Sequence, residues 1–153
     1  MPYPSEIRKQ LRGRVRRLRA QRERRISART DNKNLRAVIR KLVQMEDYSH
    51  LSTITAVDIG SEIELIYHIA NKRYLFSLKI QLGKTNLRLP TIVDLIPGAS
   101  LYEREIHDLF GVSFEGNPDL SPLLLPDGWP EGVHPLRKEW TSSKISSKIG
   151  GRK

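Results

Sequence analysis

The chain has 153 residues, 38% of them hydrophobic and 29% charged, which fits one domain with enough apolar side chains for a core. It has no cysteine, so disulfides, thiolate zinc sites, cysteine-ligated iron–sulfur clusters and cysteine nucleophiles are excluded. The formal charge is +10 and it is segregated: residues 1–40 hold 14 Lys and Arg against 3 Asp and Glu, whereas residues 41–153 hold 13 against 14. That pattern reads as a basic N-terminal arm, residues 1–22, on a near-neutral body. No run approaches the roughly 18 apolar residues that span a bilayer, and the N-terminus lacks the apolar stretch of a secretory signal. Any membrane association is therefore expected to be peripheral or through another subunit.

Within the arm, Ile7, Leu11, Val15 and Leu18 are spaced 4, 4 and 3 apart. This predicts a helix over 5–19 with Ser5 as its N-cap. A short strand is expected around Ile26 and Ala28. Asp31 then caps a clearer helix, in which Leu35, Val38, Ile39, Leu42 and Val43 share a face at period 3.6. Three strands follow: 51–58 is rich in β-branched residues, 62–69 and 73–82 alternate with period 2, and the three are joined by Ile59-Gly60-Ser61 and Ala70-Asn71-Lys72. Residues 98–111 predict a second helix with a Ser100/Glu103 capping box, an apolar face of Tyr102, Ile106, Leu109 and Phe110, and Gly111 as its stop. Seven of the nine prolines lie between Pro90 and Pro135. The stretch 112–140 nevertheless carries Phe114, Leu120, Leu123, Leu124, Leu125, Trp129, Val133, Leu136 and Trp140. That is too apolar for a solvated linker, so it predicts an extended segment packed on something. The tail 141–153 is expected to be flexible. The fold expectation is α+β: a small antiparallel or mixed sheet in the domain 23–111, packed by helices, ending in the 98–111 helix and a Pro-rich segment that wraps a partner.

Catalytic motifs are sparse. The four histidines, His50, His68, His107 and His134, have no tight ligand spacing, and no Walker, G-x-G-x-x-G or G-x-S-x-G motif occurs. Glu103 and His107 at i, i+4 could ligate a metal but read more simply as a solvated pair. Arg104, Glu105 and Asp108 fall on one side of the helix, where Glu105 and Asp108 repel each other unless a cation serves both. Paired carboxylates can also act as acid and base.

These blocks carry a resemblance. Glu103-Arg104-Glu105-Ile106-His107-Asp108-Leu109-Phe110-Gly111 resembles the E-R-E-x-x-D-[apolar]-[apolar]-G signature of the 30 kDa subunit family of respiratory complex I (NADH–quinone oxidoreductase) and its relatives. The relatives occur in membrane-bound energy-converting hydrogenases, F420H2 dehydrogenases and sulfane reductase complexes. The likeness continues through Phe114-Glu115-Gly116-Asn117-Pro118-Asp119-Leu120, Leu124-Leu125-Pro126-Asp127-Gly128-Trp129 and His134-Pro135-Leu136-Arg137-Lys138, and covers roughly residues 30–140. Two positions depart from it: Asn117 stands where the family has histidine, and Ser121 where it has arginine. That drift resembles the archaeal hydrogenase-type or sulfane-reductase-type members.

The resemblance implies a non-catalytic peripheral-arm subunit on the cytoplasmic face of the membrane. Its partners would be the large hydrogenase-like (49 kDa-type) subunit, the small Fe–S subunit and other peripheral-arm subunits. It would hold no cofactor itself, with Fe–S clusters and the metal centre in partner subunits. It implies partner-binding roles for Glu103, Arg104, Glu105, Asp108, Gly111, Phe114, Gly116, Pro118, Trp129, His134, Pro135, Leu136, Arg137 and Lys138. The arm residues Arg8, Lys9, Arg12, Arg14, Arg16, Arg17 and Arg19 would meet an acidic neighbour or acidic lipid headgroups. Two rivals stand beside this reading: an RNA-binding protein using the Arg-rich stretch, and a free-standing enzyme using Glu105 and Asp108. Nucleic acid is not expected as a partner, because RNA binding explains neither the acidic helix nor the apolar Pro-rich segment.

Overall fold

The structure, a computed structural model, describes residues 3–45, 48 and 50–150. The first two residues of the expected arm and the last three of the expected tail lie outside the described residues. In chain order the elements are α1 (Tyr3–Gln10), β1 (Arg16–Arg22), β2 (Arg25–Arg29), α2 (Asn32–Gln44) and β3 (His50–Asp58). They continue with β4 (Glu62–Ala70), β5 (Leu75–Gly83), β6 (Arg88–Pro90), α3 (Ala99–Phe110), β7 (Ser113–Glu115) and α4 (Ser142–Gly150). A five-stranded sheet runs β1-β2-β5-β4-β3, and β6 and β7 form a separate two-stranded parallel pair.

The expected hairpins form one side of this sheet, with β3 at its edge. β4 pairs antiparallel with both β3 and β5, placing Ile63, Leu65, Tyr67 and Ile69 opposite Leu82, Ile80, Leu78 and Phe76. All eight are buried on one face. The turns are built by side chains at their start. The Asp58 carboxylate accepts from Gly60 N, and Asn71 Oδ1 accepts from the backbone N–H of Arg73 and Tyr74, both Asx-type turns. Gly60 takes φ +106, a conformation glycine adopts without a Cβ clash. Asp31 caps α2 as expected, accepting from Asn34 N at 3.1 Å. Leu35, Val38, Ile39 and Leu42 of α2 are fully buried. The fold is α+β, with β2 parallel to β5 and the other pairings of the large sheet antiparallel.

Two expectations fail at the ends. The helix predicted over 5–19 stops at Gln10, the chain reverses near Gly13 (φ +78), and residues 16–22 form the edge strand β1. The arm is thus part of the folded body rather than an appendage. The 4-4-3 spacing is ambiguous: Ile7 in α1 and Leu11 just beyond its end bury completely, while Val15 and Leu18 pack partly on the core from the turn and β1. A glycine at the reversal point decides between one helix and a helix–strand corner. In the tail, residues 142–150 form α4 rather than irregular chain, and none of its side chains is buried.

Candidate functional site

The signature helix α3 lies at the centre of the C-terminal third, and three buried carboxylates organise what surrounds it. Its expected capping box does not form. Gly98 is the N-cap and makes no side-chain cap bond. The preceding turn supplies the carbonyls instead, with Ala99 N donating to Ile96 O and Ser100 N to Pro97 O. Glu103 is released to turn inward, where it is fully buried. It accepts from Thr91 Oγ1 at 2.6 Å, Ile92 N at 2.9 Å and Asn117 Nδ2 at 2.7 Å. Burial pushes its carboxyl above the ordinary range, and these three donors pull partly against that. Asn117, at the position where the family resemblance has histidine, is thus a neutral donor to a buried acid.

Asp108 shows the same chemistry one turn later. Its Oδ2 accepts from three successive backbone N–H groups: Leu123 at 2.8 Å, Leu124 at 2.8 Å and Leu125 at 3.3 Å. Burial alone would raise this carboxyl, but the three N–H groups outweigh it and hold it below the ordinary range. The expected repulsion between Glu105 and Asp108, and the cation invoked to relieve it, are therefore corrected: Asp108 is committed to backbone within its own chain. Leu123 and Leu124, held by their amides, leave their side chains 37% and 56% exposed. Arg104 does not pair with Asp108 either. Its guanidinium donates to Ser121 O, Ser121 Oγ and Pro122 O, and lies 3.8 Å from Asp119.

The C-terminus of α3 explains the His134–Lys138 block. An α-helix leaves its last four carbonyls without intrahelical partners. Here each has one: His107 O accepts from Gly111 N (2.9 Å), Asp108 O from His134 Nδ1 (2.9 Å), Leu109 O from Leu136 N (3.1 Å) and Phe110 O from Arg137 Nε (2.6 Å). Because a carbonyl only accepts, Nδ1 of His134 carries the proton. Burial pushes the His134 imidazole below its usual pKa, with the neighbouring Arg137 and His107 acting the same way and the Asp108 carbonyl opposing them. Gly111 has φ +74, and a Cβ there would sit 2.5 Å from His134 Nε2 and 2.6 Å from an Arg137 nitrogen. The glycine therefore permits both the stop and the cap. Lys138 N then donates to Asp58 Oδ2 (2.8 Å), the same oxygen that receives Lys84 Nζ at 2.7 Å. Burial raises the Asp58 carboxyl, but Lys84 and the amides of Lys138 and Gly60 outweigh it and bring it to about 2.

Of the residues singled out from the sequence, Glu103 and Phe114 are buried and offer no surface to a partner. Asp108, Gly111, His134 and Arg137 are occupied in holding the chain to itself. Trp129 closes its own loop, its Nε1 donating to Val133 O at 2.8 Å. Gly116 has φ +89, and a Cβ on it would touch Thr91. Glu105 is half-buried and has no hydrogen bond or ion pair among the described residues, and Pro135 is half-buried too; Pro118, Leu136 and Lys138 are exposed. Sequence reasoning missed Asp58, Thr91 and Lys84, whose roles depend on segments far along the chain. It also placed the carboxylates of α3 on the surface. The seven arm cations are all exposed. Among the described residues, no group of three or more His, Asp or Glu could hold a metal ion, and no helix is long and apolar enough to cross a membrane.

The structure is an α+β body with a C-terminal strap anchored by buried carboxylates. Residues 28–145 match the family model described as "Respiratory-chain NADH dehydrogenase, 30 Kd subunit", and the chain belongs to that family. It is 39% identical over 97 residues to the C subunit of the NADH-quinone oxidoreductase of Roseiflexus castenholzii, covering 60% of this chain and 55% of the relative. It is 40% identical over 111 residues to the C/D subunit of the same kind of enzyme from Nitrosospira multiformis, covering 65% of this chain but only 18% of that longer relative. A solved structure of the membrane-bound sulfane sulfur reductase, an archaeal respiratory membrane complex, contains a chain that superposes with a TM-score of 0.83 at 29% identity. That match covers 95% of this chain and 88% of the other. A fragment of Nqo5 shares the fold, with a TM-score of 0.63 at 22% identity over 76% of this chain and 95% of the fragment.

Proposed function

We propose that the chain is a non-catalytic peripheral-arm subunit of a membrane-bound, ion-translocating redox complex, docking on the large hydrogenase-like subunit at the cytoplasmic face of the membrane. Family membership supports the coarse reading of a peripheral respiratory-complex subunit. The likeness to the sulfane reductase chain supports the complexes of that type as its setting. In this reading the Fe–S clusters and metal centre sit in the large and small partner subunits, and this chain contributes shape and contacts to the assembly and so supports electron transfer.

The observation that carries the docking role is the Asp108 turn. A buried carboxylate commits three hydrogen bonds to a loop whose Leu123 and Leu124 side chains stand in solvent. Leu136, anchored by its amide to the adjacent Leu109, is 53% exposed. Apolar side chains presented on a rigid loop serve a contact better than they serve a monomer. Glu105, without an intramolecular partner among the described residues, is a further polar group that α3 offers.

The test is recovery of the complex from native membranes through a tag on this chain, comparing the parent with a Leu124→Glu, Leu136→Glu double variant. Both positions are exposed, so the variant should unfold at the parent's urea midpoint while co-purifying Fe–S subunits fall about tenfold or more. Full recovery with the variant removes the docking role from this surface. Recovery of the parent without any membrane or Fe–S subunit removes the complex assignment itself.

A further inference from the structure

The most highly charged surface lies outside the family match, which begins at residue 28. Ten Arg and Lys fall between Arg8 and Arg25 against Glu23 alone, and all ten are exposed. Among the described residues none of them is in an ion pair. They are not spread over a featureless arm. α1 and β1 enclose a cleft of about 780 Å³, with Arg8, Lys9, Arg12 and Arg17 at its rim and Val15 and Leu18 among its lining. The Arg8 guanidinium reaches across to Leu18 O at 3.5 Å. The floor is apolar and half-buried, and the rim is cationic and unpaired.

We propose that this cleft receives an acidic segment of a partner protein, one that brings carboxylates to the rim and at least one apolar side chain to the Val15–Leu18 floor. The chemistry disfavours the other anionic partners. Among the described residues no aromatic ring lines the cleft, and so none there offers the stacking platform that single-stranded nucleic acid uses. A bilayer is flat where the cleft is concave, and Ile7 of α1 and Leu11 just beyond it are fully buried, leaving no apolar face from that pair to insert. Simple strand addition along β1 is blocked too. Its register breaks between Arg16 and Arg19 and between Ala20 and Arg22, and Arg17 has φ +52, the irregularity that keeps edge strands from pairing further. Arg guanidinium forks match carboxylates two bonds at a time, and an apolar floor beneath them selects a segment that is more than a string of charges.

The experiment uses the full chain and four probes: a labelled Glu/Leu peptide, a Glu-only peptide of equal charge, poly-U RNA, and phosphatidylglycerol vesicles. The expected result is that the Glu/Leu peptide binds most tightly. Its affinity should fall about tenfold or more in an Arg8→Gln, Arg12→Gln, Arg17→Gln variant, and several-fold as salt rises from about 0.05 to 0.2 M. The Glu-only peptide should bind several-fold more weakly, which reads the apolar floor without altering the protein. The proposal is overturned if the Glu/Leu peptide does not bind, if RNA or vesicles bind more tightly, if the triple variant binds as the parent does, or if the two peptides bind alike. The assay uses the isolated chain, so its failure is separate from a failure of the membrane co-purification.

Discussion

Residues 5–22 and residues 111–140 both flank the hairpin body, yet they are attached to it by different means. The N-terminal stretch is held by apolar burial: Ile7 and Leu11 are fully enclosed, while its eight cations from Arg8 to Arg22 have no ion-pair partner among the described residues. The C-terminal stretch buries Val112, Phe114 and Val133 as well, but its loops are pinned by polar atoms. Glu103, Asp108 and Asp58 accept backbone and side-chain donors from residues 91–92, 117, 123–125 and 138, while Leu123, Leu124 and Leu136 remain exposed. The N-terminal segment buries Ile7 and Leu11 and displays its charge; the C-terminal segment, besides burying Val112, Phe114 and Val133, is pinned by buried carboxylates of α3 and β3 and displays three leucines. The lesson is that polarity does not say which part of a segment is structural. Geometry does, because a carboxylate with three donors is as firm an anchor as a leucine in a core.

The comparison can be broken at either end. The largest expected effect is on the apolar side. Leu11→Ala should destabilise the chain by about 2–5 kcal/mol in urea unfolding, the cost of deleting a fully enclosed leucine. A loss below about 1 kcal/mol would mean the N-terminal corner is not part of the cooperative fold.

On the polar side, Asp108→Ala should cost about 3 kcal/mol, since each orphaned amide carries about 1–3 kcal/mol of desolvation and some can turn to water. It should also open the 121–130 loop to limited proteolysis while the sheet stays protected from hydrogen exchange. Uniform loss of protection would show that the strap is integral to the core rather than pinned to it.

The smallest effect is a pH dependence that sharpens the role of Asp58. Its folded pKa is lowered to about 2 from the ordinary 3.8. The stabilisation is therefore fully present above the unfolded value and is lost as pH falls through the folded one. About 2 kcal/mol should disappear between about pH 4 and 2. Asp58→Asn should flatten that part of the profile; an unchanged slope would assign it to other carboxylates. Glu103 works in the opposite sense. Its raised pKa makes its ionisation a cost that grows as pH rises above its unfolded value.

Much of the body is legible in the sequence. The β-branched run of β3, the period-2 runs of β4 and β5, the period-3.6 face and Asp31 cap of α2, and the Gly111 stop of α3 are all local signals. The ordered blocks from Glu103 to Lys138 point to the family on their own. What misleads is any inference about which side of an element faces inward when its residues are charged. Glu103 looks like a cap and Asp108 like a surface acid, because a helical wheel shows only the helix.

The sequence by itself determined the hairpins, the two main helices and the family, since backbone periodicity and turn chemistry act over a few residues. Only the tertiary structure decided that β1 joins the sheet, that α1 and β1 close a cationic cleft, and that residues 134–137 cap α3. Those outcomes rest on contacts between distant segments, such as Lys138 N to Asp58 Oδ2 across 80 positions. Local pattern carries no trace of such pairs. A buried carboxylate's free energy depends on how many donors converge on it, and that number exists only once the chain has folded.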